Sequence, residues 1–396
     1  MYFALTTFGC KVNQYESSGV AELMRQNGYI PADSSLQADV HIINSCTVTE
    51  NSDRKVKALI SRLRRDNPAI KIILCGCFPK AFPEKAASAG ADTVIPGAFA
   101  GPVPLPYSPQ TERTRAFLKI QDGCNRSCAY CIIPKARGPV KSRAIDDIRS
   151  EAEMLAGAGH KEIVITGINL CAYEHSLVEA VKTVSQVNGI KRVRMGSLEP
   201  DMISVPDIVK LSELDKLCPH FHLSLQSGSD SVLKRMNRQY TADYYRNIAG
   251  AIREHFPSAA LTTDIIAGFP GETEEEFIQT LRFAEEIKFA KIHAFAFSRR
   301  EGTPAADMQG QIPKEIKQER TARLCELAGT LRTAFFEGLA RTLQEVLVEK
   351  SVPGGVFGHT PCYTPVKIVG EYDKNSVVKV KIAQTGKEYC IGEPPQ

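Results

Sequence analysis

Three cysteines stand close together in the run Gly123-Cys124-Asn125-Arg126-Ser127-Cys128-Ala129-Tyr130-Cys131-Ile132-Ile133-Pro134. Spaced C-x3-C-x2-C on a tight polar loop, their thiolates can take three corners of a cubane iron-sulfur cluster and leave the fourth iron without a protein ligand. A cluster that only carries electrons normally has four cysteines. The missing ligand therefore points to a substrate or cosubstrate that completes the shell, as an open position does at catalytic zinc. The competing readings of the same residues are a zinc knuckle lacking its fourth ligand and loosely clustered core cysteines.

These thiols need elements to hold them. A chain of 396 residues suggests two or three domains, each large enough for its own core. The apolar fraction of 43% and the charged fraction of 24% are those of a soluble globular protein. Met1 leads directly into the strand-like run Tyr2-Phe3-Ala4-Leu5-Thr6-Thr7, and nowhere do eighteen apolar residues run together. The expectation is a cytoplasmic protein with no membrane association. In a reducing compartment its 12 cysteines are better metal ligands than disulfide partners. A net charge of +4 neither demands nor excludes a nucleic acid.

From Tyr2 to about Pro96, short apolar runs alternate with helical patterns, which predicts a parallel sheet covered by helices. Strands are predicted at Tyr2 to Thr7, Val40 to Asn44, Lys71 to Leu74 and Thr93 to Ile95. Val56, Leu59, Ile60 and Leu63 mark an amphipathic helix. Its other face carries Arg54, Lys55, Lys57, Arg62, Arg64 and Arg65, a solvated face or an RNA contact. Cys10, Cys46 and Cys77 each follow a predicted strand, so they converge where the carboxyl ends of parallel strands border one crevice. That is again three thiols with no fourth. Cys75, two residues before Cys77 and on the same face by strand period, reads as a packed core cysteine.

Pro96, Pro102, Pro104, Pro106 and Pro109 predict a stiff extended connector. Six strand-like runs follow, alternating with helical patterns: Phe117 to Ile120, Glu162 to Thr166, Arg192 to Ser197, Phe221 to Leu225, Leu261 to Ala267, and Lys291 to Phe297. Six such units form an open sheet or a partial barrel. The cysteine loop begins after the first of them, at the face where barrel chemistry belongs. Arg137, Lys141 and Arg143 lie just past the loop and are candidates to meet phosphates. Cys171, Cys218 and Cys325 have no partner spacing and default to core packing. His175, His220, His222 and His293 show no H-x3-H or carboxylate-paired arrangement and are assigned no chemistry.

The cysteine loop, with aromatic Tyr130 before its last cysteine, resembles the radical S-adenosylmethionine (SAM) superfamily, in which the amino and carboxylate groups of SAM chelate the open iron. Thr7-Phe8-Gly9-Cys10-Lys11-Val12-Asn13-Gln14-Tyr15-Glu16-Ser17, Asn44-Ser45-Cys46-Thr47-Val48-Thr49 and Gly76-Cys77 resemble the three cysteine motifs of the radical-SAM methylthiotransferases. The resemblance spans essentially the whole chain and favours the partial six-unit barrel. It implies a second, auxiliary 4Fe-4S cluster on Cys10, Cys46 and Cys77 that carries or supplies the inserted sulfur. It implies that the segments after the second, third and fifth strands cradle SAM. Gly167, Asn169, Glu199, Gln226 and Asp264 are the candidates, with a structural turn or cap role as the alternative.

A long helical pattern from Pro313 to about Leu343 precedes β-rich segments at Glu345 to Val348, Tyr363 to Ile368 and Val377 to Ile382, as in a small barrel. This end resembles the RNA-holding TRAM domain, although from Arg341 on seven Lys/Arg face six Asp/Glu. Phosphate contact there rests on Lys367, Lys379 and Lys381, and Cys362 and Cys390 are too few for zinc. The expected protein is of α/β class: 1–108 a methylthiotransferase domain, 109–340 a radical-SAM domain, 341–396 a TRAM-like domain.

An aromatic C–H is too weakly acidic for a side-chain base at neutral pH, and a radical route avoids that barrier. By resemblance, the Cys124/Cys128/Cys131 cluster passes an electron to SAM and a second SAM methylates the sulfur. The stretches around Cys10 and Cys131 look most like the enzymes that act at C2 of threonylcarbamoyladenosine in tRNA. Isopentenyladenosine in tRNA and an aspartate of a ribosomal protein are the alternatives within the family. A noncatalytic RNA-binding iron-sulfur protein or redox sensor is the alternative outside it. The implied partners are tRNA and an electron-donor protein, and the chain is expected to be a monomer.

Overall fold

The computed structural model describes residues 1–35, 37–97 and 105–395. Its first layer is a parallel sheet of β1 (Tyr2–Thr7), β2 (Ile30–Pro31), β3 (Val40–Ser45), β4 (Lys71–Gly76) and β5 (Thr93–Val94), in the order β2-β1-β3-β4-β5. The central strand β3 is buried along its whole length, its polar residues His41, Asn44 and Ser45 included, because strands flank it on both sides and helices cover both faces. Helix Lys11–Gln26 lays Val20 and Met24 on Phe3, Val40 and Ile42 on one face of the sheet. Helix Glu50–Asp66 lays Val56, Leu59, Ile60 and Leu63 on Ile43, Ile72 and Leu74 on the other. The Thr49 side chain accepts from the Ser52 amide and starts that second helix.

β4 ends at Gly76, whose φ is +96°. A Cβ there would stand 2.5 Å from both Asn44 Oδ1 and the Ser45 carbonyl, so the turn requires glycine. The expectation that Cys75 and Cys77 share a strand face fails at this point. Cys75 packs with Phe3 and Ile42, whereas Cys77 opens helix Cys77–Ala81 and packs with Phe78 and Leu74 on the opposite side. The period-two argument holds only while the strand continues.

The central unit contains β6 (Arg115–Lys119), the short antiparallel pair β7 (Gln121–Asp122) and β8 (Lys141–Ser142), then β9 (Glu162–Thr166), β10 (Arg192–Met195), β11 (Ser197–Leu198), β12 (His220–Leu223), β13 (Ala260–Ala267) and β14 (Lys291–Ala296). Parallel pairing gives β6-β9-β10 and β11-β12-β13-β14. β10 and β11 are one predicted strand interrupted at Gly196, whose amide still bonds the Ile165 carbonyl at 2.9 Å. Six units therefore follow one another in space as in sequence, an open partial barrel with β6 and β14 at its free edges. Leu118, Ile163, Val193, Leu223 and Leu261 point to the surrounding helices. By strand alternation Lys119, Arg194, His222, Asp264 and His293 share the inner face.

The lateral gap and the strand-start end of this barrel are covered by other parts of the chain. Helix Lys11–Gln26 lies against β6, and Arg300, just past β14, pairs with Asp53 at 2.8 Å and donates to Thr47 Oγ1 at 2.7 Å. The first layer thus bridges both free edges. The strand starts are covered by a closed five-stranded barrel in the order β15 (Leu343–Val352), β16 (Gly355–His359), β17 (Pro365–Ile368), β19 (Cys390–Glu393), β18 (Val377–Thr385). Arg192 and Arg194 of β10 donate to the carbonyls of His359 and Pro361, at 3.0 and 2.7 Å. Helix Lys314–Glu337 connects the two units along β14.

The proline-rich connector is not a free spacer where it is described. Leu105 and Pro106 lie on Gly19 of the first helix, the Gln110 amide bonds both backbone groups of Phe117, and a His160 ring nitrogen is 2.7 Å from the Pro109 carbonyl. Pro102 and Pro104 lie outside the described residues. Cys171 is half-buried and Cys218 buried, but Cys325 is exposed and is not a core residue. No helix among the described residues is long and apolar enough to cross a membrane.

Gly76→Ala is expected to destabilise the chain by roughly 2–3 kcal/mol, because it adds a strained φ to a backbone clash. Urea unfolding measures this, and an unchanged midpoint would contradict the account of the turn.

Candidate active site

The cysteine loop is pinned before any thiol is considered. The Gln121 amide donates to the Asp122 and Gly123 carbonyls, both at 2.7 Å, while its oxygen accepts from the Asn169 amide at 2.9 Å. Gly123 has φ +70°, and a Cβ there would lie 1.9 Å from the Pro139 carbonyl. The Cys124 amide donates to Gly138, the Ala129 amide to Met236, and the Asn237 side chain to the Ser127 carbonyl at 2.8 Å. The backbone that carries Cys124, Cys128 and Cys131 is thereby fixed. Arg238 Nη1 is 3.4 Å from Cys128 Sγ, and Asn169 Nδ2 is 3.8 Å from Cys124 Sγ. Burial pushes the Cys131 thiol up to about 12, so iron must displace its proton on binding.

Arg238 also donates to the Tyr240 hydroxyl at 3.1 Å and pairs with Glu199, and Arg126 pairs with Asp201. Beside Cys124, Asn169 Oδ1, Arg126 Nη1 and Asp201 Oδ1 are buried without a protein partner. Each such atom costs about 1–3 kcal/mol if left unpaired. Their grouping next to three thiols fits a cluster whose open iron holds a ligand rich in amino, carboxylate and hydroxyl groups.

The predicted SAM-side residues are distributed unevenly around this loop. Asn169 and Glu199 touch it directly or through Arg238, and a Cβ at Gly167 would come 2.8 Å from Gln121 Oε1. Tyr130 packs below it on the cluster of Val232, Met236, Phe269 and Phe297. Gln226 works through its backbone, at φ +69°, exchanging hydrogen bonds with Asp264 and Ile266 where β12 leaves β13. Asp264 lies on the inner wall, 3.5 Å from His222 Nε2 and opposite His293 in register. The expectation that no histidine is carboxylate-paired is therefore corrected: three adjacent strands bring together residues far apart in sequence.

The second cysteine set converges on Asn13. Its side chain donates to the carbonyls of Phe8 and Ser45, both at 3.0 Å, which ties the turns after β1 and β3 together. Its oxygen lies 3.5 Å from Cys10 Sγ and 4.0 Å from Cys77 Sγ. Gly9 leaves so little room that an added Cβ would stand 3.2 Å from Cys46 Sγ. Burial raises the Cys46 thiol and pushes Cys77 up to about 12.

One residue joins the two sites, and its role was missed in the sequence. Arg137 follows the cysteine loop, yet its guanidinium lies in the first layer, with Nε 3.1 Å from Cys77 Sγ and Nη2 2.5 Å from Asn13 Oδ1. Nη1 and Nη2 hold both oxygens of Glu16, at 2.5 and 3.0 Å. Lys119 reaches the same Glu16 at 3.1 Å and Asp122 at 3.0 Å. Side-chain exposure is 7% for Arg137 and 1% for Glu16. Arg143 is likewise engaged, with Glu151 at 2.5 Å and the Lys119 carbonyl at 2.8 Å. The expectation that Arg137 and Arg143 meet phosphates is corrected: both are consumed inside the protein. A spacing rule could not find this, because Cys77 lies 60 positions from Arg137 and Glu16 and Asn13 lie 121 and 124 positions away.

Residues 118–284 match the profile of the radical SAM superfamily, and residues 2–96 match a profile described as uncharacterized protein family UPF0004. The chain is 37% identical to the threonylcarbamoyladenosine tRNA methylthiotransferase MtaB of Bacillus subtilis, over 98% of this chain and 95% of that protein. It is also 37% identical to the protein of the same name from Thermotoga maritima, over 92% and 91%. A tRNA-2-methylthio-N(6)-dimethylallyladenosine synthase of Acetivibrio thermocellus is 34% identical over 88% and 80%. Among solved structures, the radical S-adenosylmethionine methyltransferase TsrM from Kitasatospora setae matches with a TM-score of 0.58 and 13% identity, over 87% of this chain and 80% of that one, a likeness of fold.

Arg137→Met is expected to cost about 3–5 kcal/mol, since it leaves Glu16 buried with only Lys119. Arg137→Lys should recover part of this, because an ammonium cannot reproduce the two-pronged contact. Chemical denaturation of both variants checks the order, and equal stability of all three proteins would refute it.

Proposed function

This chain belongs to the radical-SAM methylthiotransferase family, and we propose that within it the reaction is insertion of a methylthio group at C2 of N6-threonylcarbamoyladenosine, next to the anticodon of tRNA. The observation that carries the choice of base is the 37% identity, over 98% of this chain, to a relative named for that nucleoside. The reading assigns units at 1–108, 109–340 and 341–396, with a 4Fe-4S cluster on Cys124, Cys128 and Cys131 and an auxiliary one on Cys10, Cys46 and Cys77. When bound, the clusters and SAM would supply one-electron chemistry at a C–H that no side-chain base can deprotonate.

The residues of the chain supply positions. Arg238 and Asn169 stand on either side of the loop thiols and fix their orientation. Glu199, Gly167, Tyr130, Gln226 and Asp264 form the SAM side of the barrel rim in this reading. Arg137 sets the separation between the two cysteine sets, because the same guanidinium touches Cys77 and is tethered to the helix that follows Cys131. The first layer and the C-terminal barrel narrow access to the inner wall from the side and from the strand starts. Lys367, Lys379 and Lys381 are offered to tRNA phosphates, an electron-donor protein reduces the clusters, and the enzyme acts as a monomer off the membrane.

Mass spectrometry of tRNA nucleosides from cells lacking this protein tests the base. The expected result is loss of 2-methylthio-threonylcarbamoyladenosine with accumulation of its precursor, and an unchanged level would remove this substrate. Iron analysis tests the cluster count after anaerobic reconstitution. About eight irons are expected in the parent and in Cys75→Ala, and about four in Cys77→Ala. Equal loss in the two variants would refute the assignment of Cys77 over Cys75.

A further inference from the structure

Where the first layer, the partial barrel and the C-terminal barrel meet, they enclose a cavity of about 300 Å³. Lys11, Arg113, Arg115, Arg194, Lys350 and Lys374 line it, one or more from each part. Its two lining carboxylates are already taken. Glu112 pairs with Arg25 at 2.9 Å, and Glu349 is shared between Arg115 at 3.3 Å and His359 at 2.7 Å. Arg194 is held by Glu162 at 2.8 Å. Lys11, Lys350 and Lys374 make no ion pair and no side-chain hydrogen bond among the described residues, but Lys350 and Lys374 are exposed to water whereas Lys11 is half-buried, so a partly desolvated cation without a partner faces the cavity. Space with a surplus of positive charge recruits an anion.

We propose that this cavity receives the carboxylate of the threonyl substituent on the substrate base, with Lys11 as the charge that selects it. The inference rests on the proposed nucleoside and adds the means of recognising it. Position favours this anion over a backbone phosphate. Lys11 directly follows Cys10, and Phe117, Val164 and His220 carry the cavity wall into the barrel. A phosphate inside would have to bring the chain on both of its sides with it, whereas a substituent ends there and fits about 300 Å³. A base held with C2 at the auxiliary cysteines would place its substituent within reach of the next residue along. A neutral apolar substituent would leave Lys11 desolvated and unpaired, and a polar site rejects such a ligand far more strongly than an apolar site rejects a polar one.

The test uses the reconstituted full-length protein and three anticodon stem-loop RNAs, carrying threonylcarbamoyladenosine, its primary amide, or isopentenyladenosine. Fluorescence anisotropy should show the parent binding the acid at least tenfold more tightly than the amide, a gap that Lys11→Met abolishes and Lys11→Arg retains. Equal binding of acid and amide by the parent overturns the proposal without recourse to any variant. Equal weakening of all three RNAs by Lys11→Met overturns it in favour of a backbone phosphate. Product analysis on the same RNAs separates the two levels: turnover of the acid without an acid preference in binding sinks the carboxylate site alone. Turnover of only the isopentenyl RNA sinks the proposed nucleoside and the site together.

Discussion

The buried contact between Arg137 and Glu16 is the constraint on which the arrangement of the two cysteine sets depends. Arg137 belongs to the short helix after the loop, and Glu16 belongs to the first helix of the chain. A guanidinium offers several donors in one rigid plane, and here they reach Glu16, Asn13 and the Cys77 sulfur together. Removing such a charge from water is costly, so the contact persists only if every partner stays in place. The consequence is mechanical. The turn after β4 cannot shift relative to the radical-SAM loop without stranding charge, which fixes the distance between two cysteine sets built on different sheets.

The same logic organises the interior of the partial barrel. Its outer face is apolar and covered by helices, while its inner face holds Lys119, Glu162, Arg194, His222, Asp264 and His293. A polar wall is stable only if its charges pair or face a ligand. Glu162 with Arg194 and His222 with Asp264 pair, whereas Lys11, reaching in from the first helix, has no such pair among the described residues. The first layer closes the open side from both edges, through the first helix on β6 and Asp53 on Arg300. Site and enclosure are therefore made by different parts of one chain.

Much of this was legible in the sequence, for reasons that also explain the rest. β1 and β9 fall at their predicted limits because apolar runs bounded by polar turns leave no choice of register. The three-cysteine loop announces itself by spacing. By contrast, β16 and β19 were missed, since Gly-Val-Phe-Gly-His and Cys-Ile-Gly-Glu carry too few apolar residues to signal strands outside their barrel. The contacts of Arg137, the pairing of His222 with Asp264 and the displacement of Cys77 at Gly76 are tertiary events. Each depends on which elements become neighbours, and local pattern does not encode that.

Tyr363 draws one more consequence from the floor of the barrel. In the left-handed region at φ +65°, it lies under the guanidiniums of Arg115 and Arg194, at 4.6 and 4.9 Å, and stacks on His359 at 4.6 Å. Two cations of the central strands thus find their aromatic partner only in the C-terminal barrel, which the ribosome makes after them. Until that barrel docks, Arg194 still has Glu162, but the face of each guanidinium that Tyr363 covers is open to water. A chain cut before Tyr363 therefore loses the cover over the strand starts of the partial barrel together with the ring that shields two of its cations.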